Sequence, residues 1–366
     1  MWASSSDKED LALAPGDLLI CEGGEVGRAA LAPAGLPANT IIQNSLHLVR
    51  ETAQACPRYL KYALEHVAAS GWIDLVCNKA TIAHLTVDKL RELPIPFWRK
   101  GDQERIANFL DEQTARIDAL IAEKEQLQSR LGEYRRSLIS SAITQGVPGK
   151  QKELVQHKFL GLVPRGWIVG SFRHYVQVRS GQVDPEDSAY AHLVLVAPNH
   201  IESGTGRLLS TESAAEQAAE SGKYWCDAGD VIYSKIRPAL RKATLAPFDC
   251  LCSADMYPLK GIGPLSNEYL FWYLLSEPFS DFAVQESMRV AMPKLNRETL
   301  AEASIPLPSM AEQAEIVTFL KRATTAVDEM AQHVDEHTAR LREYRSSLIS
   351  AAVTGQLDLS TFQAAA

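Results

Sequence analysis

Apolar residues recur along two long stretches of this chain at alternating spacings of three and four, the signature of a helix that buries one narrow stripe. Residues 102–144 and 312–354 carry the pattern and align without a gap at a constant offset of 210, as Tyr134 against Tyr344 shows. The match is densest at the end, RLGEYRRSLISSAIT against RLREYRSSLISAAVT. In the first stretch the expected seam runs Ile106, Leu110, Gln113, Ile117, Leu120, Lys124, Leu127, Leu131, Tyr134 and Leu138. In the second it runs Ile316, Leu320, Ala323, Val327, Met330, Val334, His337, Leu341, Tyr344 and Leu348. Neither stretch holds a proline, and Gly132 is the only internal glycine, so each predicts one helix of roughly 43 residues and about 65 Å. A helix so long with so narrow a stripe needs a partner of its own kind. A duplicated chain folded about a two-fold axis reverses one helix against the other, which predicts an antiparallel coiled coil. The polar seam residues Gln113, Lys124 and His337 then serve to set register.

The duplication reaches beyond these helices. LTVDKLRELPIP (Leu85–Pro96) faces LNRETLAEASIP (Leu295–Pro306), and RYLKYAL (Arg58–Leu64) faces EYLFWYL (Glu268–Leu274), again at an offset of 210. Further back, PGDLLICEGGEVGRAALAP (Pro15–Pro33) faces AGDVIYSKIRPALRKATLAP (Ala228–Pro247). The short apolar runs after each Gly-Asp turn predict strands, the YL segments predict helices, and the IP punctuation ends each mixed domain before its long helix. The expected class is α+β, with two mixed α/β domains separated by the coiled coil and related by a pseudo-two-fold repeat. The expected divisions are 1–98, 99–150, 151–310 and 311–366. The halves begin unequally: only fifteen residues precede Gly16, whereas GLVPRGW (Gly161–Trp167) lies far upstream of Gly229. The first domain is therefore expected to lack an N-terminal portion.

At 366 residues, 46% hydrophobic and 22% charged, the composition is that of a globular chain with room for two or three cores. The opening MWASSSDKEDLALAP has no apolar signal region, and no apolar run approaches the length that spans a bilayer, so no membrane partner is expected. The six cysteines (21, 56, 77, 226, 250 and 252) form no CxxC pair, which argues against a zinc site or disulfide framework and for a reducing cytoplasm. A net charge of −8 excludes nucleic-acid binding by bulk electrostatics and throws any such role onto local basic clusters.

Lys235, Arg237, Arg241 and Lys242 form the strongest such cluster, in the loop after VIY. Arg289, Lys294 and Asn296 form a second, before the domain exit. Arginine and asparagine can make paired hydrogen bonds to base edges, and lysine can hold phosphate. In the first half the corresponding loop, CEGGEVGR, offers only Arg28; Gln43, Asn44, Lys79 and His84 are weaker candidates. Its glycines suit either close backbone approach to DNA or a simple hairpin turn. GGEVGR lacks the GK[ST] ending of a phosphate-binding loop, and the histidines at 157, 174, 192 and 200 are scattered, so no catalytic residue, metal site or cofactor of its own is expected.

The second half, from GLVPRGW through GDVIYSKIRPALRKATL to MPKLNRETLAEASIPLPSMAEQAEIVTFL, resembles the specificity subunits of type I restriction-modification systems, and PGDLLICEGGEVGRA, LRELPIPF and DQERIANFLDEQ repeat it. The departures are the short first domain and Phe97-Trp98 where the second half has Leu307-Pro308. The resemblance implies two target recognition domains that read a bipartite site in double-stranded DNA, in the cytoplasm of a bacterium or archaeon. It implies a non-catalytic subunit docking two methyltransferase subunits, with S-adenosylmethionine, and restriction subunits, with ATP and Mg. Two other readings stay open on the residues alone: a truncated, inactive or recombinational specificity cassette, and a coiled-coil adaptor without a DNA role.

Overall fold

The computed structural model describes residues 11–37, 39–43, 45–77, 84–150, 152–287 and 293–362. It mixes α and β structure, with several small sheets and two helices of 46 and 44 residues. The chain divides into two compact units, Met1–Gln128 with Gln332–Ala366, and Ser129–Ala331, so both divisions fall inside long helices. No helix among the described residues is long and apolar enough to cross a membrane.

In the first unit, β1 (Leu18–Cys21) lies between β2 (Ala29–Leu31) and β3 (Leu46–Val49), all antiparallel. The Gly-Asp turn before β1 works through two features. Gly16 sits at φ +89°, where a side chain would be strained, and buried Asp17 accepts the Ala14 N–H at 2.8 Å. Leu18 and Ile20 of β1 pack with Leu64 and Val67 of α1 (Pro57–Ala69) and with Ile73 of α2 (Trp72–Val76). After α3 (Val87–Glu92), the chain enters the long helix α4 (Lys100–Gln145). Ile106, Ala107 and Leu110 of α4 bury against Tyr59, Tyr62 and the distant Ile349, Ala352 and Val353.

The second unit opens with the hairpin β4 (Leu154–His157) and β5 (Gly161–Pro164), then β6 (Ile168–Ser171), β7 (Val176–Val178), β8 (Gln182–Val183), β9 (Leu195–Val196), β10 (Lys223–Cys226) and β11 (Val231–Ser234). Next come β12 (Ala243–Leu245), β13 (Cys250–Cys252), β14 (Met256–Gly261), α5 (Asn267–Leu275), α6 (Glu277–Ser287), α7 (Arg297–Leu300), β15 (Ser304–Leu307) and α8 (Met310–Val353). Two four-stranded sheets, ordered β12-β11-β14-β7 and β8-β10-β13-β9, carry the unit. All four residues of β11 are buried, as a central strand requires. Its Gly-Asp turn repeats the first: Gly229 is at φ +85°, and buried Asp230 accepts the Asp227 N–H at 3.0 Å. Ile316, Val317 and Leu320 of α8 bury against Ile139, Ala142 and Ile143 of α4. At an offset of 210 these are the residues that meet in the first unit.

A glutamine at the head of each long helix does the same job in each unit. Gln103, fully buried, accepts the Cys56 N–H at the start of α1 at 2.9 Å and donates to the carbonyls of Gln54 and Trp98. Gln313, equally buried, accepts the Ser266 N–H at the start of α5 at 2.9 Å and donates to Pro264 and Pro308. Each amide satisfies one orphan donor of the shorter helix's N-terminus and two carbonyls, one just before that helix and one just before the long helix.

The α4 and α8 segments run in opposite directions wherever they meet within a unit. In the first, Asp118 pairs with Arg345 at 2.8 Å and Glu125 with Arg342 at 2.7 Å, while Gln128 donates to Asp335 at 3.3 Å. In the second, Arg135 pairs with Asp328 at 2.8 Å.

The expected seam needs correction at six of its twenty positions. Ile106, Leu110, Ile117, Ile316, Leu320, Val327 and Val334 are buried, and Leu131, Leu138, Leu341 and Leu348 are half-buried. Leu120, Leu127, Tyr134, Met330 and Tyr344 are exposed, and so is His337. The next residue along turns inward instead: Ile121, Gln128 and Arg135 on α4, and Ala331, Thr338 and Arg345 on α8. Arg135 and Arg345 reach aspartates on the facing helix, and a bulky Tyr134 or Tyr344 in the same place would exclude that ion pair. Specific pairing thus outweighs side-chain hydrophobicity in deciding which of two adjacent residues faces the partner.

Candidate nucleic-acid interface

The candidate site lies in the second unit, on the hairpin joining β11 to β12. These strands pair with Tyr233 opposite Ala243, and the loop between them, residues 235–242, carries the expected basic cluster. Pro238–Leu240 forms one 3-10 turn, flanked by Arg237 and Arg241, both in the left-handed region at φ +48°. Non-glycine residues hold that conformation only where surrounding bonds impose it. Here the Arg237 N–H donates to the Pro293 carbonyl at 3.1 Å and the Leu295 N–H to the Lys235 carbonyl at 2.9 Å. Ile236 bridges Lys294 across the same strap. The fold thereby joins the two basic groups that the sequence keeps apart, and it makes the loop rigid.

Within the joined cluster the cations are not equivalent. Lys235 is 9% exposed, its Nζ donates to the Ala254 carbonyl, and it lies 5.2 Å from the centre of the Tyr257 ring. Burial first, then the charge of Lys294, holds its pKa below the ordinary lysine value. Lys235 is therefore a structural lysine and not the phosphate clamp expected of it. Arg241 is half-buried with Nε donating to Ser280 at 2.9 Å, and burial lowers its pKa. Lys242 donates to the Pro198 carbonyl at 2.6 Å. Asn296, expected to touch bases, instead caps α7 by accepting the Thr299 N–H at 2.7 Å. Arg237 and Lys294 are left: both are exposed, and neither side chain has a hydrogen bond or ion pair among the described residues.

Arg237 and Lys242 line a cleft of about 320 Å³ together with Pro198, Asn199, Ser234, Ile236, Leu240 and Asp255. Asn199 and Asp255 were not expected from sequence. Asn199 sits on a one-turn 3-10 segment far upstream in the chain, and Asp255 just before β14, and neither position carries a local signal. Arg297, also missed, lies 5.5 Å from the centre of the Tyr257 ring and donates to the Arg179 carbonyl, so it braces the floor of the cluster. The rim thus offers a guanidinium fork, an amide and a carboxylate, the groups that read base edges.

The other candidates are less favourably placed. The CEGGEVGR loop is a hairpin turn, closed by the Gly27 N–H to Cys21 and the Cys21 N–H to Arg28. Gly27 packs so closely on Ile73 that a Cβ there would fall 2.1 Å from its side chain. Arg28 is exposed and pairs with Glu25 at 2.5 Å. Gln43 is exposed, and His84 is exposed with its ring beside Gly23. Asn44, Lys79 and Arg289 lie outside the described residues. Among the described residues no cluster of His, Cys, Asp or Glu could hold a metal ion.

Residues 201–335 match the type I restriction modification DNA specificity domain family, and this span includes Arg237, Asp255 and Lys294. The chain is 29% identical over 294 residues to the type I restriction enzyme EcoDI specificity subunit of Escherichia coli, across 76% of this chain and 65% of that one. It is 23% identical over 296 residues to the EcoBI specificity subunit of the same organism, across 76% and 62%. The matches therefore span a little under two thirds of those relatives. A solved chain, described as the structural basis of complex assembly and conformational transition of the type I R-M system, covers 94% of this chain at a TM-score of 0.72 and 16% identity, which establishes likeness of fold. Residues 201–335 thus resemble a DNA specificity domain of the type I class. The resemblance to type I specificity subunits read from its repeats holds.

Proposed function

We propose that this chain is the sequence-reading subunit of a type I restriction-modification complex, and that the Arg237–Lys294 rim reads one element of its DNA target. The observation that carries the reading is that two exposed, unpaired cations of the matched span meet at one cleft: Arg237 lines it, and Lys294 is bridged to Ile236 of its wall. Lys294 supplies charge to a phosphate, and the rigid loop presents the Arg237 fork to a base edge.

The target is bipartite on this reading. Arg135–Asp328 and Arg345–Asp118 are the same pair with the repeats exchanged, which is how a two-fold contact repeats itself. We therefore read α4 and α8 as an antiparallel coiled coil about a pseudo-two-fold axis, with a recognition domain in residues 1–98 and another in 151–310. Such a coil would keep a fixed number of unread base pairs between two different elements. Two methyltransferase subunits would dock on the coil and its flanking domains, and restriction subunits would join them, with the DNA target placing the assembly in the cytoplasm. S-adenosylmethionine, ATP and Mg belong to those partners on this reading, and this chain contributes binding and orientation of the DNA.

Co-expression with the methyltransferase encoded beside it, followed by mapping of methyladenine across the host genome, tests the proposal. The expected result is one two-part motif with a constant gap. A folded complex that leaves no such motif would refute it and favour the adaptor reading.

A further inference from the structure

We infer that Asp255 is a specificity-determining residue, which accepts a hydrogen bond from the N4 amino group of a cytosine next to the guanine taken by Arg237. The inference rests on the DNA-reading role proposed above and deepens it. The Asp255 carbonyl accepts the Lys235 N–H at 3.0 Å, and Ser234 pairs with Met256, so the backbone of Asp255 is pinned to the end of β11, where the basic loop begins. Both Asp255 and Arg237 line the cleft and are exposed. The Asp255 carboxylate accepts no hydrogen bond and forms no ion pair among the described residues. The neighbouring Lys235 gives its hydrogen bond to the Ala254 carbonyl and meets the Asp255 charge only through space.

An exposed carboxylate without a hydrogen-bond partner, on a rim that meets DNA, is repelled by every phosphate, so it weakens non-specific binding. It is offset only where a base presents a donor. Cytosine N4 is such a donor, and cytosine's own major-groove edge carries no acceptor. Adenine N6 lies next to the N7 acceptor, which repels a carboxylate and suits an amide instead. The same aspartate therefore opposes wrong sequences and selects cytosine.

The test uses the chain assembled with its methyltransferase subunits and a randomised duplex library from which bound molecules are sequenced. The wild-type complex is expected to enrich a motif with a fixed C and an adjoining G. Asp255→Ala is expected to relax the cytosine position by roughly tenfold to hundredfold while retaining or raising affinity for the library as a whole. Arg237→Lys keeps the charge and is expected to relax the guanine position alone. A wild-type complex with no enriched motif would overturn both the inference and the DNA-reading role. An enriched motif that Asp255→Ala leaves unchanged, or binds more weakly at every sequence alike, would overturn the inference alone.

Discussion

Replacing Gln313 by alanine tests whether one buried amide holds the second unit's long helix to its domain. Gln313 is fully buried, and its amide accepts from Ser266 at 2.9 Å and donates to Pro308 at 3.0 Å and Pro264 at 2.5 Å. Alanine leaves the Ser266 N–H and the buried Pro308 carbonyl unsatisfied, at about 1–3 kcal/mol each, and the exposed Pro264 carbonyl can turn to water. With the small cavity added, Gln313→Ala should cost about 3–5 kcal/mol. For a unit of this size that lowers the melting temperature by about 10 °C. Gln313→Glu should do no better, because a carboxylate keeps the acceptor but faces two carbonyls without a donor. Calorimetry would give the magnitude and hydrogen exchange the place: protection should fall at the start of α5 and persist at the start of α1. Gln103→Ala should show the converse. A melting shift under about 2 °C, or loss of protection at α1 in the Gln313 variant, would refute the reasoning.

The seam correction predicts that Ile117→Ala costs about 2–4 kcal/mol, whereas Leu120→Ala, at a residue 46% exposed, costs under about 1 kcal/mol; urea denaturation of both variants checks this. The hydrogen bond from the Trp225 indole, at 2.7 Å, and then Arg179 hold the Asp227 carboxyl below the ordinary aspartate pKa. A depressed acid contributes stability that is present above its unfolded value and lost as pH falls through the folded one, so the second unit should weaken below about pH 4. Trp225→Phe should bring the Asp227 titration back towards the ordinary value, as carboxyl NMR would show. For the assembled complex, DNA affinity should fall steeply with salt, and Lys294→Ala should reduce the slope of log affinity against log salt by about 1.

Much of the fold was legible in the residues because it rests on local rules. The Gly-Asp turns ahead of β1 and β11, the YL helices α1 and α5 and the two unbroken long helices each follow from φ preferences, turn chemistry and apolar period. The duplication was legible because it is an alignment. The candidate site was legible only as a pair of basic groups, because charge is written in the sequence and partners are not. Lys235 and Asn296 read like DNA contacts until the fold gives one a carbonyl and the other a helix end to cap.

Sequence by itself determined that two similar amphipathic helices exist, where they begin, and that each follows a strand-and-helix domain. Tertiary structure alone decided which of two neighbouring residues each turn sends inward. A heptad gives Tyr134 and Arg135 nearly equal claims, and only the aspartate waiting across at 328 settles the choice. It alone also drew Asn199, Arg237, Asp255 and Lys294 towards one rim, since strand pairing joins positions that chain distance separates. Periodicity is a property of neighbours along the chain, whereas a binding surface is a property of neighbours in space.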